Sequence, residues 1–153
     1  MSRMKKATVV FSLTILALLA LAQASYPLQI TRLETKDFEG VPKTSFRRGE
    51  IVVIETTIEG VPTYYFITPI EYLEIVTIWY GNSMMGLLLT RTSITFGETK
   101  TFGGGVGIRL TDPIGTYSIE VYVWNGFPSE MAERGEPWSP LAEARTTTIT
   151  ITG

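Results

Sequence analysis

The sequence predicts an all-β fold, an antiparallel immunoglobulin-like β-sandwich of about seven to nine strands. Three observations favour this class. Runs of β-branched and aromatic residues alternate with polar residues, glycine and proline turns separate the runs, and no segment of residues 25–153 has a convincing helical period. The 153 residues are enough for one domain with a real hydrophobic core.

Two strands are predicted near the start of this domain. Residues 27–35 alternate in part between apolar and polar side chains, and the turn Gly40-Val41-Pro42 follows them. Residues 51–58 are almost all β-branched, and every second residue from Val52 to Ile58 lies on one face of the expected strand. This is the strongest strand prediction in the sequence.

The middle of the chain continues the pattern. The aromatic residues 64–66, with Ile67, begin a strand that Pro69 bends or ends, because proline cannot donate to a sheet ladder. Residues 73–80 are a long β-branched and aromatic run that stops at the turn signal Gly81-Asn82. We therefore expect a bent strand followed by a long one.

Shorter strands are expected next, at residues 86–90 and 94–96. Residues 99–102 then lead into a glycine run at residues 103–107. It lacks the Lys-Ser/Thr pair and the following helix of a phosphate-binding loop. We interpret it as a turn or a β-bulge.

Two clear strands close the domain, at residues 117–124 and 145–151, and both alternate between apolar and polar side chains. The first of them follows a turn that contains Asp112 and Gly115 and ends at Tyr117. A Gly-x-Tyr spacing before a strand predicts a tyrosine corner, in which the phenol hydroxyl bonds to nearby backbone as the chain crosses between sheets.

Residues 1–24 are expected to be a secretory signal peptide, and residues 25–153 the mature domain. Three cations open the segment, an apolar run follows at residues 9–22, and Ala22 and Ala24 form the small-x-small pattern of a cleavage site. Cleavage after Ala24 removes three basic residues and no acidic ones. The mature chain then has 10 basic and 15 acidic residues and a net charge of −5.

Two alternatives for this segment stay open. The apolar stretch approaches the roughly 18 residues of a membrane span, so an uncleaved segment would be an N-terminal anchor and the domain's one contact with a membrane. The bond between Lys6 and Ala7 also resembles the cleavage site of archaeal type IV pilins, which keep their apolar helix. Pro27 argues against the long continuous helix of that design. In every case the domain is expected to be extracellular or at the cell surface.

The absence of His and Cys excludes whole classes of site. The chain lacks a thiolate nucleophile, an imidazole acid or base, and the usual zinc ligands. The basic residues of the mature chain are scattered, which disfavours nucleic-acid binding, and the acidic residues match no calcium loop. We expect no cofactor and no metal ion.

Paired carboxylates are the remaining option for acid–base catalysis, since glycoside hydrolysis needs two of them facing one sugar. Two groups lie close together in the sequence: Glu130, Glu133 and Glu136 in one, Glu71 and Glu74 in the other. Nothing else in these segments supplies an oxyanion donor or a substrate cradle. We therefore expect solvated carboxylates and no catalytic residues.

Three motifs occur in a recognisable order: Phe46-x-x-Gly49-Glu50 before a Val/Ile strand, Gly115-Thr116-Tyr117 before Val121-Tyr122-Val123-Trp124, and Pro140-Leu141-Ala142 before a Thr-rich last strand. Over about residues 45–152 the chain resembles the small immunoglobulin-like domains of secreted or surface proteins of hyperthermophilic archaea. The scarcity of heat-labile Asn and Gln, two of each, also favours a hot environment. The resemblance implies an extracellular structural or adhesive module without catalytic residues.

The first expected function is that of a structural or adhesive subunit. It would associate with itself or with another surface protein through strand edges, and the segment after the signal would complete a neighbour's sheet by donor-strand addition into a filament. The side chains involved would be Tyr26, Leu28, Ile30 and Leu33.

The alternative function is that of a monomeric module that binds carbohydrate or protein through residues 124–144. This connection of about 20 residues is long for a hairpin loop, a length that often indicates function. Phe127 and Trp138 would form the recognition surface. If the connection is only structural, Trp138 and Leu141 cap the edge of the sandwich.

Overall fold

The structure, a computed structural model, describes residues 26–61 and 67–153. The predicted signal peptide and its cleavage residues Ala22 and Ala24 lie outside the described residues, as does nearly all of the strand predicted at residues 64–67. In the described ranges, the one helix is too short to cross a bilayer.

The described residues form eight strands and one short helix. In chain order these are β1 (Leu28–Lys36), β2 (Ser45–Arg47), β3 (Ile51–Gly60), β4 (Ile70–Tyr80), β5 (Ser83–Ile94), β6 (Thr99–Gly107), β7 (Gly115–Trp124), α1 (Pro128–Arg134) and β8 (Arg145–Thr152). The expected mostly β architecture is confirmed.

The strands form two sheets. One has three strands in the order β1-β3-β6, and the other has five in the order β2-β8-β7-β4-β5. All neighbours are antiparallel except β2 and β8, which run parallel over three residues. Strands β4 and β7 therefore lie in the middle of the larger sheet, and β5 forms one of its edges.

A single hydrophobic core lies between the sheets. The predicted inward face of β3 is confirmed, with Val52, Ile54 and Ile58 at most 2% exposed. Strand β7 alternates as expected, because Ile119 and Val121 are fully buried while the residues between them are not. Because the side chains of a strand alternate between faces, burying one face of each sheet fixes which residues remain outside.

The segment predicted as two short strands, at residues 86–90 and 94–96, is one long strand. β5 pairs with β4 from Ser83 to Ile94. Its polar residues 90–93 lie in the strand because they can face solvent at the sheet edge. Phe96 lies beyond the strand in a turn, where Glu98 N–H donates to the carbonyl of Thr95 at 3.0 Å.

The glycine run was expected to be a turn or a bulge, and this expectation is wrong. All of its residues belong to β6, which pairs with β3 without a register shift. The glycines allow a close approach to the other sheet, since a Cβ on Gly104 would lie 2.6 Å from Cδ1 of Leu88 in β5. The missing side chains therefore make room for those of the facing sheet.

The expected absence of a helix is also wrong, since α1 lies between β7 and β8. It is only seven residues long and buries one side chain, Met131, so it leaves no hydrophobic period in the sequence. The sequence features that indicate this helix are at its two ends. Pro128 occupies the first helical position, and Gly135 ends the helix in the left-handed conformation with φ 68°.

We expect Gly104→Val to lower the free energy of unfolding by about 1–3 kcal/mol, because the added methyl groups overlap Leu88 in a packed core. Gly107→Val is the matched control, since nothing lies within 4 Å of its Cβ position in the same strand. Urea denaturation of both variants measures the difference. Equal stabilities would show that β6 does not pack closely against β5 at Gly104.

Candidate interaction surfaces

Each sheet ends in two strands whose outer edges pair with no other strand of the described chain. These are β1 and β6 in the smaller sheet and β2 and β5 in the larger one. Unpaired edges are the places where a sheet adds a strand from another chain. Their residues therefore decide where this protein can associate through its backbone.

Three of the four edges carry features that hinder strand addition. β1 has a register shift between Ile30 and Arg32 and carries three charged residues, Arg32, Glu34 and Lys36. β2 is only three residues long. The outward positions of β6 are Thr and Gly, which offer no large apolar side chain to a partner. Bulges, charges and short length are common means of blocking an edge.

The β5 edge carries fewer of these obstacles, since its register shift lies near one end, at Met85, and Arg91 is its one charged residue. It is the longest of the described strands, with 12 residues. Three of its outward side chains are large, apolar and about half exposed: Met84 at 50%, Leu87 at 50% and Leu89 at 49%. The sequence did not reveal this surface, because a continuous run of Met and Leu is equally typical of a buried strand.

The charge of Arg91 on β5 is already neutralised within the chain. Its guanidinium pairs with Glu71 of β4 at 3.4 Å and with Glu130 of α1. A charged side chain on an edge strand normally opposes pairing with another chain. Here that charge is compensated, so the central part of β5 presents a nearly uncharged apolar edge.

The residues predicted to act as a donor strand lie in β1 or just before it. β1 pairs with β3 of the same chain, and Leu28 and Ile30 are buried in the core at 1% and 2% exposure. Leu33 packs against that core, and Tyr26 lines a groove of about 530 Å³ that also contains Val61. In this structure the segment completes its own sheet.

The connection at residues 124–144 is held firmly to the end of the larger sheet. The side chain of Asn125, at the start of the connection, bonds twice to its returning arm: its Nδ2 donates to Pro137 O at 2.9 Å, and its Oδ1 accepts from Ser139 N–H at 3.0 Å. Leu141 N–H donates to Val123 O at 2.8 Å. These bonds make the connection an ordered extension of β7.

Aromatic rings lie on the outer surface of this connection. Trp138 stacks on Trp124 with ring centroids 4.0 Å apart and an interplanar angle of 21°. Its indole N–H donates to Gly126 O at 2.8 Å, and the residue remains 42% exposed. Phe127 precedes α1 and is half-buried. Trp138 thus offers a fixed, accessible ring face.

The same connection covers part of the outer face of the larger sheet. Leu73 lies directly across from Trp124 in the register, on the face that points away from the core, yet it is only 1% exposed. Met131 of α1 is also 1% exposed, and neither residue belongs to the core between the sheets. A second, smaller apolar cluster therefore lies beneath the connection.

The residues of the predicted tyrosine corner lie together at the start of β7. The hydroxyl of Tyr117 donates to the carbonyl of Pro113 at 2.8 Å, the type of contact that a tyrosine corner makes. Asp112 accepts from Arg109 N–H at 2.8 Å. Gly115 has φ 141°, a value that side chains rarely allow.

The paired carboxylates do not form a catalytic pair. Glu71 and Glu74 are three residues apart on one strand, so their side chains point to opposite faces of the sheet. Glu130 pairs with Arg91 and accepts from Phe127 N–H at 3.3 Å, while Glu133 and Glu136 are exposed. Within residues 26–61 and 67–153 there is no group of three acidic residues that could hold a metal ion.

Glu74 is a buried carboxyl group between the two sheets. It is 2% exposed, and the hydroxyl of Thr56 in the facing sheet donates a hydrogen bond to it. Burial raises the pKa of Glu74, because removal from water disfavours its charged form. Burial, with a further contribution from Glu74, also raises the pKa of Tyr72, whose hydroxyl has no hydrogen-bond partner among the described residues.

Several solved structures share this fold at low sequence identity. The C-terminal domain of Wzt matches with a TM-score of 0.61 and 12% identity, over 84% of this chain and 75% of that one. The alkylpurine DNA glycosylase AlkC of Pseudomonas fluorescens matches with a TM-score of 0.55, 14% identity and coverage of 84% and 31%. A β-glucosidase from Listeria innocua matches with a TM-score of 0.51, 10% identity and coverage of 84% and 16%.

These similarities concern the fold. The Wzt domain is a β-rich immunoglobulin-like domain, which agrees with the two-sheet architecture described above. The chain spans 31% of the glycosylase and 16% of the glucosidase, so the likeness covers only a part of each enzyme. No protein-family model matches the chain, and no curated protein matches it in sequence.

Glu74 makes the stability of the fold depend on pH. Because its pKa is raised in the folded state, its contribution is fully present below the unfolded value of about 4.5 and is lost as pH rises through the folded value. The free energy of unfolding should fall by up to about 1.4 kcal/mol per pH unit in that window. We expect Glu74→Gln to remove this decline.

Denaturant melts from pH 4 to pH 9, compared between variant and wild type, measure the effect. Glu71→Gln is the matched control, since it removes a largely exposed carboxylate from the opposite face of the same strand. A Glu74→Gln curve parallel to that of the wild type would show that Glu74 ionises as easily in the folded chain as in the unfolded chain.

Proposed function

We propose that this protein is a non-catalytic structural or adhesive subunit, displayed outside the cell as an immunoglobulin-like β-sandwich, that assembles through a strand edge. The observation that carries the proposal is the outer edge of β5. It is long, unpaired among the described strands, lined by half-exposed Leu87 and Leu89, and free of an uncompensated charge. Such an edge supports addition of a strand from another chain.

Other features support the extracellular part of the proposal. The basic, apolar and small-residue pattern of residues 1–24 is typical of a secretory signal. The similarity to the Wzt domain supports the immunoglobulin-like sandwich, and the dispersed carboxylates support the non-catalytic part of the proposal. We place assembly at β5 and not at β1, because donating β1 would expose the core residues Leu28 and Ile30 unless two copies exchanged the strand.

Adding charge to the edge should abolish assembly. We expect the wild-type protein to be oligomeric and the double variant Leu87→Lys/Leu89→Lys to be monomeric, because two lysines on an edge strand oppose pairing with another chain. Leu110→Lys is the control, since it makes the same change at an exposed leucine outside the strands. Analytical ultracentrifugation and negative-stain microscopy measure the size, and thermal melts confirm folding. A monomeric wild-type protein would contradict the proposal.

A second function is supported by the stacked Trp124 and Trp138. A flat, fixed ring face with 42% exposure suits stacking against a sugar ring, so the connection at residues 124–144 is a candidate carbohydrate-binding surface.

If that surface binds glycans, Trp138→Ala should weaken binding by roughly tenfold or more, because about 1.4 kcal/mol of ring stacking is lost. Trp138→Phe keeps an aromatic ring and should retain most of the affinity. Glycan arrays identify the ligand and titration calorimetry measures the affinity. Equal binding by the alanine variant and the wild type would remove this candidate.

A further inference from the structure

We propose that the partner of the β5 edge is the β5 edge of a second copy of this chain, paired antiparallel about a two-fold axis at Leu88. The two five-stranded sheets would then form one continuous sheet. This inference rests on the proposed function and specifies its partner and its register. It depends on the backbone of β5, its side-chain pattern and its charge.

The backbone of β5 is oriented for such pairing. The carbonyl of Ser93 accepts a hydrogen bond from the Lys100 ammonium group of β6, and we assign this carbonyl to the open edge of β5. Backbone groups alternate in direction along an antiparallel strand, and the pairing with β4 is regular from Gly86 to Ile94. Leu87, Leu89 and Arg91 therefore also direct their N–H and C=O groups to the open edge.

The two-fold axis pairs these residues with one another. In an antiparallel pair centred on Leu88, Leu87 of one copy lies opposite Leu89 of the second copy, and the reverse. Both residues direct backbone groups to the edge, so they form hydrogen-bonded pairs. Both side chains also lie on the outer face, where they are about half exposed in one copy. Four leucine side chains would become neighbours across the axis.

The charge pattern selects this register. With the axis at Leu88, Arg91 faces the bulge at Met85 of the second copy, far from the other Arg91. Moving the axis to Leu89 would place Leu87 opposite Arg91 and would lose the leucine pairs. The axis at Leu88 therefore matches apolar to apolar side chains, and the compensation of Arg91 by Glu71 and Glu130 reduces repulsion between the copies.

A second β5 suits this edge better than the other edges of the chain. β1 has its bulge in the paired stretch and carries three charged residues, β2 has three residues, and β6 would place Thr and Gly beside the leucines. A two-fold contact uses the same patch on both copies and closes as a dimer. Any larger assembly would then need a second surface elsewhere on the protein.

Single cysteines test the register, because the natural chain contains none. We would prepare Leu87→Cys and Leu89→Cys as full-length proteins, mix them in equal amounts and oxidise them mildly. About half of the dimers in the mixture should contain one copy of each variant. In these dimers the two cysteines lie opposite each other and are expected to form a disulfide. Neither variant alone should cross-link to a comparable extent. Leu110→Cys is the control for random collision, and thermal melts confirm that each variant folds.

Each outcome has a distinct meaning. Preferential linkage between positions 87 and 89 supports the pair centred on Leu88. Linkage of position 89 to itself, or no linkage in a protein that still sediments as an oligomer, overturns this register or this partner but leaves edge assembly in place. A wild-type protein that sediments as a monomer overturns the proposed function together with this inference.

Discussion

The close packing of two sheets without any disulfide is the constraint on which the rest of the structure depends. The chain has no cysteine, so the sheets stay together through their buried faces and through few polar contacts, such as that between Thr56 and Glu74. Interiors packed to crystal-like density tolerate little added volume. This explains why one strand is glycine-rich where the facing sheet comes closest, at Gly104 and Leu88.

Strand β4 connects this core to the outer surfaces. Its inward side chains fill the space between the sheets, and its outward side chains carry the small apolar cluster around Leu73 and the carboxylate of Glu71 that pairs with Arg91. The connection at residues 124–144 covers one end of that outer face, while the outer edge of β5 pairs with no other described strand. A single strand thus joins the packing of the interior to both candidate interaction surfaces.

The sequence predicts well those elements in which one face is buried. Val52 and Ile54 in β3, and Ile119 and Val121 in β7, alternate with less buried residues, and this period is visible without a structure. The sequence does not show that Gly104 belongs to a strand, because the reason for a glycine there is the close approach of Leu88 in the other sheet. α1 was missed because it buries a single side chain. The β5 edge was missed because a run of apolar residues does not show which strand will have only one neighbour.

The ion pairs of Arg91 tie three elements of the fold together. The arginine lies on β5, Glu71 on β4 and Glu130 on α1, so the charge of the edge strand is fully compensated only when the helix is in place. If the edge assembles as proposed above, a chain whose helix has not yet folded would carry a partly free arginine there, and charge on an edge strand opposes pairing. Completion of the tertiary structure would then precede assembly.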